Sequence, residues 1–364
     1  MRRPAKFRSL FGSILLLILS LMWTRSAVSE DCVKPGWTID NVRMPYAIGR
    51  TVANYVEVGD VIAVKSSNLA ELRKCASAEK KPILLYLNSM PMEGLAEFPP
   101  SNPNDSEAWF TLQVDAKTRQ YWNTLLGSPI PGETRPVSVS LGLTGGYPMT
   151  SIQQISLRPL PPGLFTLWAL LFVLGLLAFF RFAARSNLLR GGTPAGGRVF
   201  SISRSQGAWW FFIVLAAYLL IGLTTGDYTT SLNSTALALL GIAAGTYLGS
   251  AAVDASKNTP PEVAAREAVR ANLSALQNPN ADQASKLTKL LGESQGWLID
   301  VLSDADGIDF HRFQMLTWTF VLGIIFVTGV WRGLAMPDFS TTLLGLMGLS
   351  AGTYVGLKIP EATR

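Results

Sequence analysis

Five stretches of this chain are continuously apolar over a helical length: residues 163–180, 207–225, 235–252, 315–331 and 341–357. Each is long enough to cross a hydrocarbon core of about 30 Å. None holds Asp, Glu, Lys, Arg or His well inside it. Upstream the period changes from helical to two. Phe110, Leu112 and Val114 alternate with polar positions, as do Val137, Val139, Leu141 and Leu143. Short apolar runs at 61–64 and 83–87 are separated by turn signals such as Val58-Gly59-Asp60 and Gly145-Gly146-Tyr147-Pro148. Short strands at this spacing predict an all-β sandwich over 30–160, with a helical turn or two at 120–126. Pro159, Pro161 and Pro162 end it. The loop 253–310 reads as a helical hairpin, broken at Asn278-Pro279-Asn280. Its second helix carries Leu287, Leu290, Leu291, Trp297, Leu298, Val301 and Leu302 at helical spacing.

Basic residues orient this pattern. Arg2, Arg3, Lys6 and Arg8 precede a short apolar stretch, and Ala27-Val28-Ser29 offers a cleavage site. Residues 1–29 therefore read as a secretory signal, with an uncleaved anchor as the alternative. The loop 181–206 holds Arg181, Arg185, Arg190, Arg198 and Arg204 and no acid, which makes it cytoplasmic. Both signals export the β domain and leave the C-terminus inside. The expected location is a bacterial inner membrane, crossed several times. Composition agrees, with 48% hydrophobic and 15% charged residues. The net charge of +6 reflects arginines flanking apolar segments, so it does not indicate nucleic acid. Both cysteines, Cys32 and Cys75, fall in the exported region, where a disulfide between them is expected.

The apolar segments contain a repeat. Residues 240–249 read LGIAAGTYLG and residues 347–356 read MGLSAGTYVG. Each places glycines at i, i+4 and i+8: Gly241, Gly245, Gly249 and Gly348, Gly352, Gly356. On a helix this makes a ridge without side chains, suited to close helix packing in lipid. The preceding helices also match, through Arg204/Arg312, Gln206/Gln314, Trp210/Trp318 and Phe212/Phe320 at an offset of 108. Ser201 and Asp309 are equivalent candidate N-caps. The glycine helices match at an offset of 107. Both hairpins begin on the same side, so they are parallel repeats, and a pseudo-two-fold along the membrane normal is expected. The polar pairs Gln206/Gln314, Thr246/Thr353 and Tyr247/Tyr354 are candidates for bonds across the repeat interface or for the inner headgroup region.

Val58-Gly59-Asp60-Val61-Ile62-Ala63-Val64 resembles the early strand of Ig-like and TIG-like bacterial domains. The whole pattern resembles an uncharacterised group of bacterial inner-membrane proteins, with an exported β-sandwich, one helix and paired hairpins ending in A-G-T-Y-[LV]-G. The motif stands here at Ala244 to Gly249 and Ala351 to Gly356. That resemblance implies an architecture and brings no activity.

Catalytic and metal chemistry find little support in the residues. The one histidine, His311, adjoins Arg312 at a span entrance. Asp304-Ala305-Asp306-Gly307 lacks the first and last carboxylates of a calcium loop. No phosphate-binding glycine motif stands between a strand and a helix. The expectation is a non-enzymatic envelope protein with no cofactor, no catalytic residue and no metal ligand. Its β-sandwich recognises a partner or ligand, and its glycine-ridged repeats anchor and assemble it. The expected partners are the lipid bilayer, further copies of the chain, and proteins on the periplasmic and cytoplasmic sides. The alternative is a passive channel, formed by the repeats in an oligomer, for ions or small solutes.

Overall fold

The structure is a computed structural model. It describes residues 32–46, 54–95, 97–98, 105–191, 199–229, 232–256, 294–304 and 307–360, with 264, 267–268, 271–272, 275 and 280 between them. Residues 1–29, expected to be a secretory signal, and most of the 253–310 loop, expected to be a helical hairpin, lie outside the described residues. Two compact units divide the chain. The first holds the described parts of Met1–Arg43, Ala63–Trp109 and Ser138–Gln153, and the second holds those of Met44–Ile62, Phe110–Val137 and Gln154–Arg364.

The N-terminal elements are β1 (Asn41–Tyr46), β2 (Val61–Lys65), α1 (Leu69–Glu79), β3 (Ile83–Leu87), β4 (Met90–Pro91), β5 (Glu107–Thr111), α2 (Arg119–Leu126), β6 (Arg135–Leu143) and β7 (Gln154–Leu157). The strands form two sheets, in the orders β1-β2-β5 and β4-β3-β6-β7. β3 runs antiparallel to β6, from Ile83 opposite Leu143 to Leu87 opposite Val139. Every β3 residue is buried, which is why its sequence is a continuous apolar run and does not alternate. The expected helical turns at 120–126 are α2. Helix α1 was not expected from the sequence. Its Leu69, Leu72 and Ala76 are buried at helical spacing, but Arg73, Lys74 and Cys75 interrupt the apolar count. Arg73 is also buried. It pairs with Glu97 at 2.5 Å and donates to the Asp105 and Glu107 carbonyls, so its charge is matched.

The second unit continues with α3 (Pro162–Arg185), a two-residue hairpin pair β8 (Arg190–Gly191) and β9 (Val199–Phe200), α4 (Ile202–Thr225), α5 (Ser234–Ser256), α6 (Trp297–Leu302), α7 (Phe310–Gly333) and α8 (Thr341–Lys358). Helices α3, α4, α5 and α7 are long and apolar enough to cross a membrane. Helix α8 is not among these four, because its threonines, glycines, Tyr354 and Lys358 dilute its apolar character. Helices α4, α5, α7 and α8 share a core, which includes Trp210, Ile221, Leu239, Phe326 and Met347. Helix α3 lies against α4, with the rings of Phe172 and Phe179 against Phe212.

The hairpins are related differently from the expected two-fold. Helix α4 packs on α5 and α7, and α8 packs on α5 and α7. Equivalent helices therefore stand side by side. They bury different faces. Gln206, Trp210 and Ala217 are buried in α4, while their counterparts Gln314, Trp318 and Ile325 in α7 are not. Thr319, Gly323 and Phe326 are buried in α7, while their counterparts Phe211, Leu215 and Tyr218 in α4 are not. Taken whole, the buried faces of the two helices differ by roughly a quarter turn. A two-fold would bury one face in both copies. A side-by-side stack, in which the second hairpin repeats the first by near-translation, buries opposite flanks, as found here.

Candidate functional site

The repeat residues meet in a consistent way. Arg204 lies over the Tyr247 ring at 5.3 Å and Arg312 over Tyr354 at 5.4 Å, so each hairpin joins its two helices by the same cation–π contact. Asn233 caps α5 through Ala236 N–H, and its equivalent Ser340 caps α8 through Leu343 N–H. Asp309 caps α7, whereas Ser201 makes no capping bond and its hydroxyl instead meets that of Ser203.

Between hairpins, Gln206 Nε2 donates to Thr319 Oγ1 at 3.0 Å. The Trp209 ring stands edge-on to Phe320, and Gly323 leaves room for it, since a Cβ there would fall 2.7 Å from Trp209 Nε1. Gly249 receives Val355, whose Cγ1 would lie 3.1 Å from an added Cβ. Lys358 Nζ donates to Ser250 Oγ at 2.7 Å and pairs with Asp254 at 2.9 Å. Tyr354 and Ser250 hydroxyls are 3.5 Å apart. Thr246 and Thr353 do not reach across. Each donates to its own helix, to the Ile242 and Leu349 carbonyls, the usual outlet for a threonine hydroxyl in lipid. Gln314 lies off the buried face of α7.

Of the six ridge glycines, only Gly249 meets another helix. A Cβ at Gly241, Gly245, Gly348, Gly352 or Gly356 would meet nothing within 4 Å. Beyond the ridge, an apolar groove of about 770 Å³ runs between α3, α4 and α7, lined by Phe172, Phe179, Trp209, Phe320 and Trp331 among others. Its lining suits acyl chains.

Short helix α6 closes one end of the bundle. Its Val301 packs with Ile202, Met315 and Tyr354. Asp300 is buried beneath it and accepts from Phe200 N–H, Ser294 Oγ and Gln295 N–H. At the other end the segment around α2 rests on the helix termini. Arg119 pairs with Asp227, in the α4–α5 turn. Ser128 N–H donates to the Trp331 carbonyl at 2.8 Å. Arg135 holds this corner through the Leu125, Gly127 and Ser128 carbonyls. Gly127 abuts the Arg332 carbonyl so closely that a Cβ would collide with backbone. Its φ is −53°, so glycine is needed here for space and not for conformation. Gly127→Ala is expected to destabilise the chain by about 1–3 kcal/mol, as overpacking does. Ser128→Ala, which spares the bonded N–H, should be near neutral. Denaturant titration of both variants checks this.

The first unit carries the most exposed chemistry. Cys32 and Cys75 form a disulfide with Cα atoms 5.8 Å apart, fixing the start of the segment that leads to Trp37. Glu79 lies beside the two sulfurs, but sulfurs bonded to each other offer no thiolate to a metal. The segment after Trp37 meets Thr150 in an isolated bridge, through Thr150 N–H to the Trp37 carbonyl and Ile39 N–H to the Thr150 carbonyl. Val33, Lys34, Trp37, Tyr147, Pro148 and Thr150 line a cleft of about 480 Å³. Tyr147 is 76% exposed, and Lys34 Nζ lies 6.0 Å from the Trp37 ring. Tyr86 supports this tip from below, its hydroxyl reaching the Leu143 and Gly146 carbonyls at 3.0 and 3.2 Å. Burial, and then the charge of Glu93, raise the Tyr86 pKa above 10.0, so the phenol stays a donor. Gly142 leaves room between the Tyr86 ring and Pro148. The turn at Gly145-Gly146-Tyr147 was legible from the sequence. Lys34 and Trp37 were not, because they join the cleft only through the long-range pairing with Thr150.

No known protein family, curated protein or solved structure matches the chain.

Proposed function

We infer that this is a non-enzymatic recognition protein of the bacterial inner membrane. Its β-rich part, on the exported side, recognises a partner, and its repeats anchor and assemble it. The observation that carries this reading is the cleft at Trp37 and Tyr147. An exposed tyrosine beside a half-buried tryptophan, held on hydrogen-bonded turns, presents the two aromatic types that dominate binding energy at interfaces. The bundle supports anchoring over a pore within one chain, because Trp210, Leu239, Phe326 and Met347 fill its interior and Val301 packs across one end.

The test is a photo-crosslinking residue in place of Tyr147, in the full chain in its native membrane. A discrete adduct is expected. It should fall about tenfold with Trp37→Ala, the 1.4 kcal/mol scale of one contributing aromatic. An equal adduct from Ile152, which is 89% exposed outside the cleft, would show nonspecific contact and overturn the reading.

A further inference from the structure

We propose that copies of this chain stack side by side in the membrane by continuing the contact that joins the two internal hairpins, with Leu248 of one copy seated on Gly356 of the next. The proposal rests on the assembly reading above and specifies its interface. The internal contact is heterologous: one flank of the first hairpin meets the opposite flank of the second. Such a contact leaves both complementary flanks free, one at each end of the stack.

The free flanks carry the counterparts of the residues that meet inside. Val355 on Gly249 is the contact that α8 makes with the glycine ridge of α5. The repeat equivalent of Val355 is Leu248, which is 63% exposed. The equivalent of Gly249 is Gly356, where an added Cβ meets nothing within 4 Å. Trp210 stands against Phe326 inside the chain, and the equivalents on the outer flanks are Trp318 and Tyr218, both part-buried, with the Tyr218 ring 6.0 Å from Tyr228. A bare glycine in a helix is about 1 kcal/mol worse than alanine. Gly356 has no packing reason within its own chain, and a seat for a neighbour's side chain supplies one. Near-translation also keeps every copy in the same orientation across the bilayer, as a membrane requires.

The polar locks are not repeated. Phe211 and Ala251 occupy the positions equivalent to Thr319 and Lys358. The contact between copies is therefore apolar and weaker than the one inside the chain. The two-flank geometry also separates it from a two-fold dimer, in which Leu248 would face its own counterpart.

Two full-length copies with different tags are co-expressed, one carrying Leu248→Cys and the other Gly356→Cys, and the membranes are oxidised. Neither position packs within its own chain, so folding is unaffected. Gly249→Cys with Val355→Cys in a single chain calibrates the oxidation. The expected result is a mixed crosslink at twice the chain mass, and a ladder when both substitutions share one chain, with no product from either alone. Leu248→Cys crosslinking to itself would overturn the stack in favour of a two-fold. Wild-type mass in native-lipid nanodiscs separates the remaining failures. Oligomers without the 248–356 crosslink would overturn the stack and leave assembly standing, and monomers would overturn both.

Discussion

Replacing Trp210 with alanine is expected to cost about 3–5 kcal/mol of stability. Trp210 is fully buried, with its ring 6.1 Å from Phe326 at the centre of the helix bundle. Truncation removes the largest side chain from that core and leaves a void that rigid helices cannot refill. The lower end of the range is favoured, because lipid is as apolar as the core and the loss is one of packing more than of transfer from water. Its repeat counterpart Trp318 lies off the buried face of α7. Trp318→Ala should therefore cost much less in monomeric detergent micelles. Unfolding by titration with a denaturing detergent, followed by circular dichroism, checks both. Equal losses at the two tryptophans would contradict the quarter-turn difference between the hairpins.

Removing the Cys32–Cys75 disulfide should have an effect of similar size on the β-rich part. The bridge spans 43 residues, and closing a loop of that length contributes about 4 kcal/mol in the chain-entropy model. It also ties Val33, Lys34 and Trp37 to α1. The double variant Cys32→Ser, Cys75→Ser should lower the temperature at which this part becomes protease-sensitive, and weaken crosslinking from Tyr147. Reductant should reproduce both effects in the wild type. Unchanged protease sensitivity under reductant would show that the sheets, not the bridge, hold the cleft.

The apolar helices were legible because their pattern is long and unbroken, and their ends fell within a few residues. The structure starts α4 at Ile202 and α7 at Phe310, earlier than the apolar runs. These starts follow the candidate caps Ser201 and Asp309, of which Asp309 alone makes a capping bond. Helix α1 was hidden because half its surface is charged and only Leu69, Leu72 and Ala76 mark the buried stripe. The repeat was plain at the level of residues, but not its symmetry. Identical hairpins stack by rotation or by translation with the same sequence signature, and only the buried faces distinguish the two. The glycine ridge likewise marked which side of a helix lacks side chains. It did not mark which side turns inward, and the inner face of α5 uses Thr235, Ala236, Leu239, Ala243, Thr246 and Ser250 instead.

The corner around α2 touches both hairpins. It holds Asp227, in the turn of the first, through Arg119, and the last residues of α7, in the second, through Ser128 and Gly127. This segment is a crossbar. The Gln206–Thr319 and Lys358–Asp254 contacts already resist sliding of one hairpin along the other, and the crossbar adds a further stop. A pull on it would load both hairpins together.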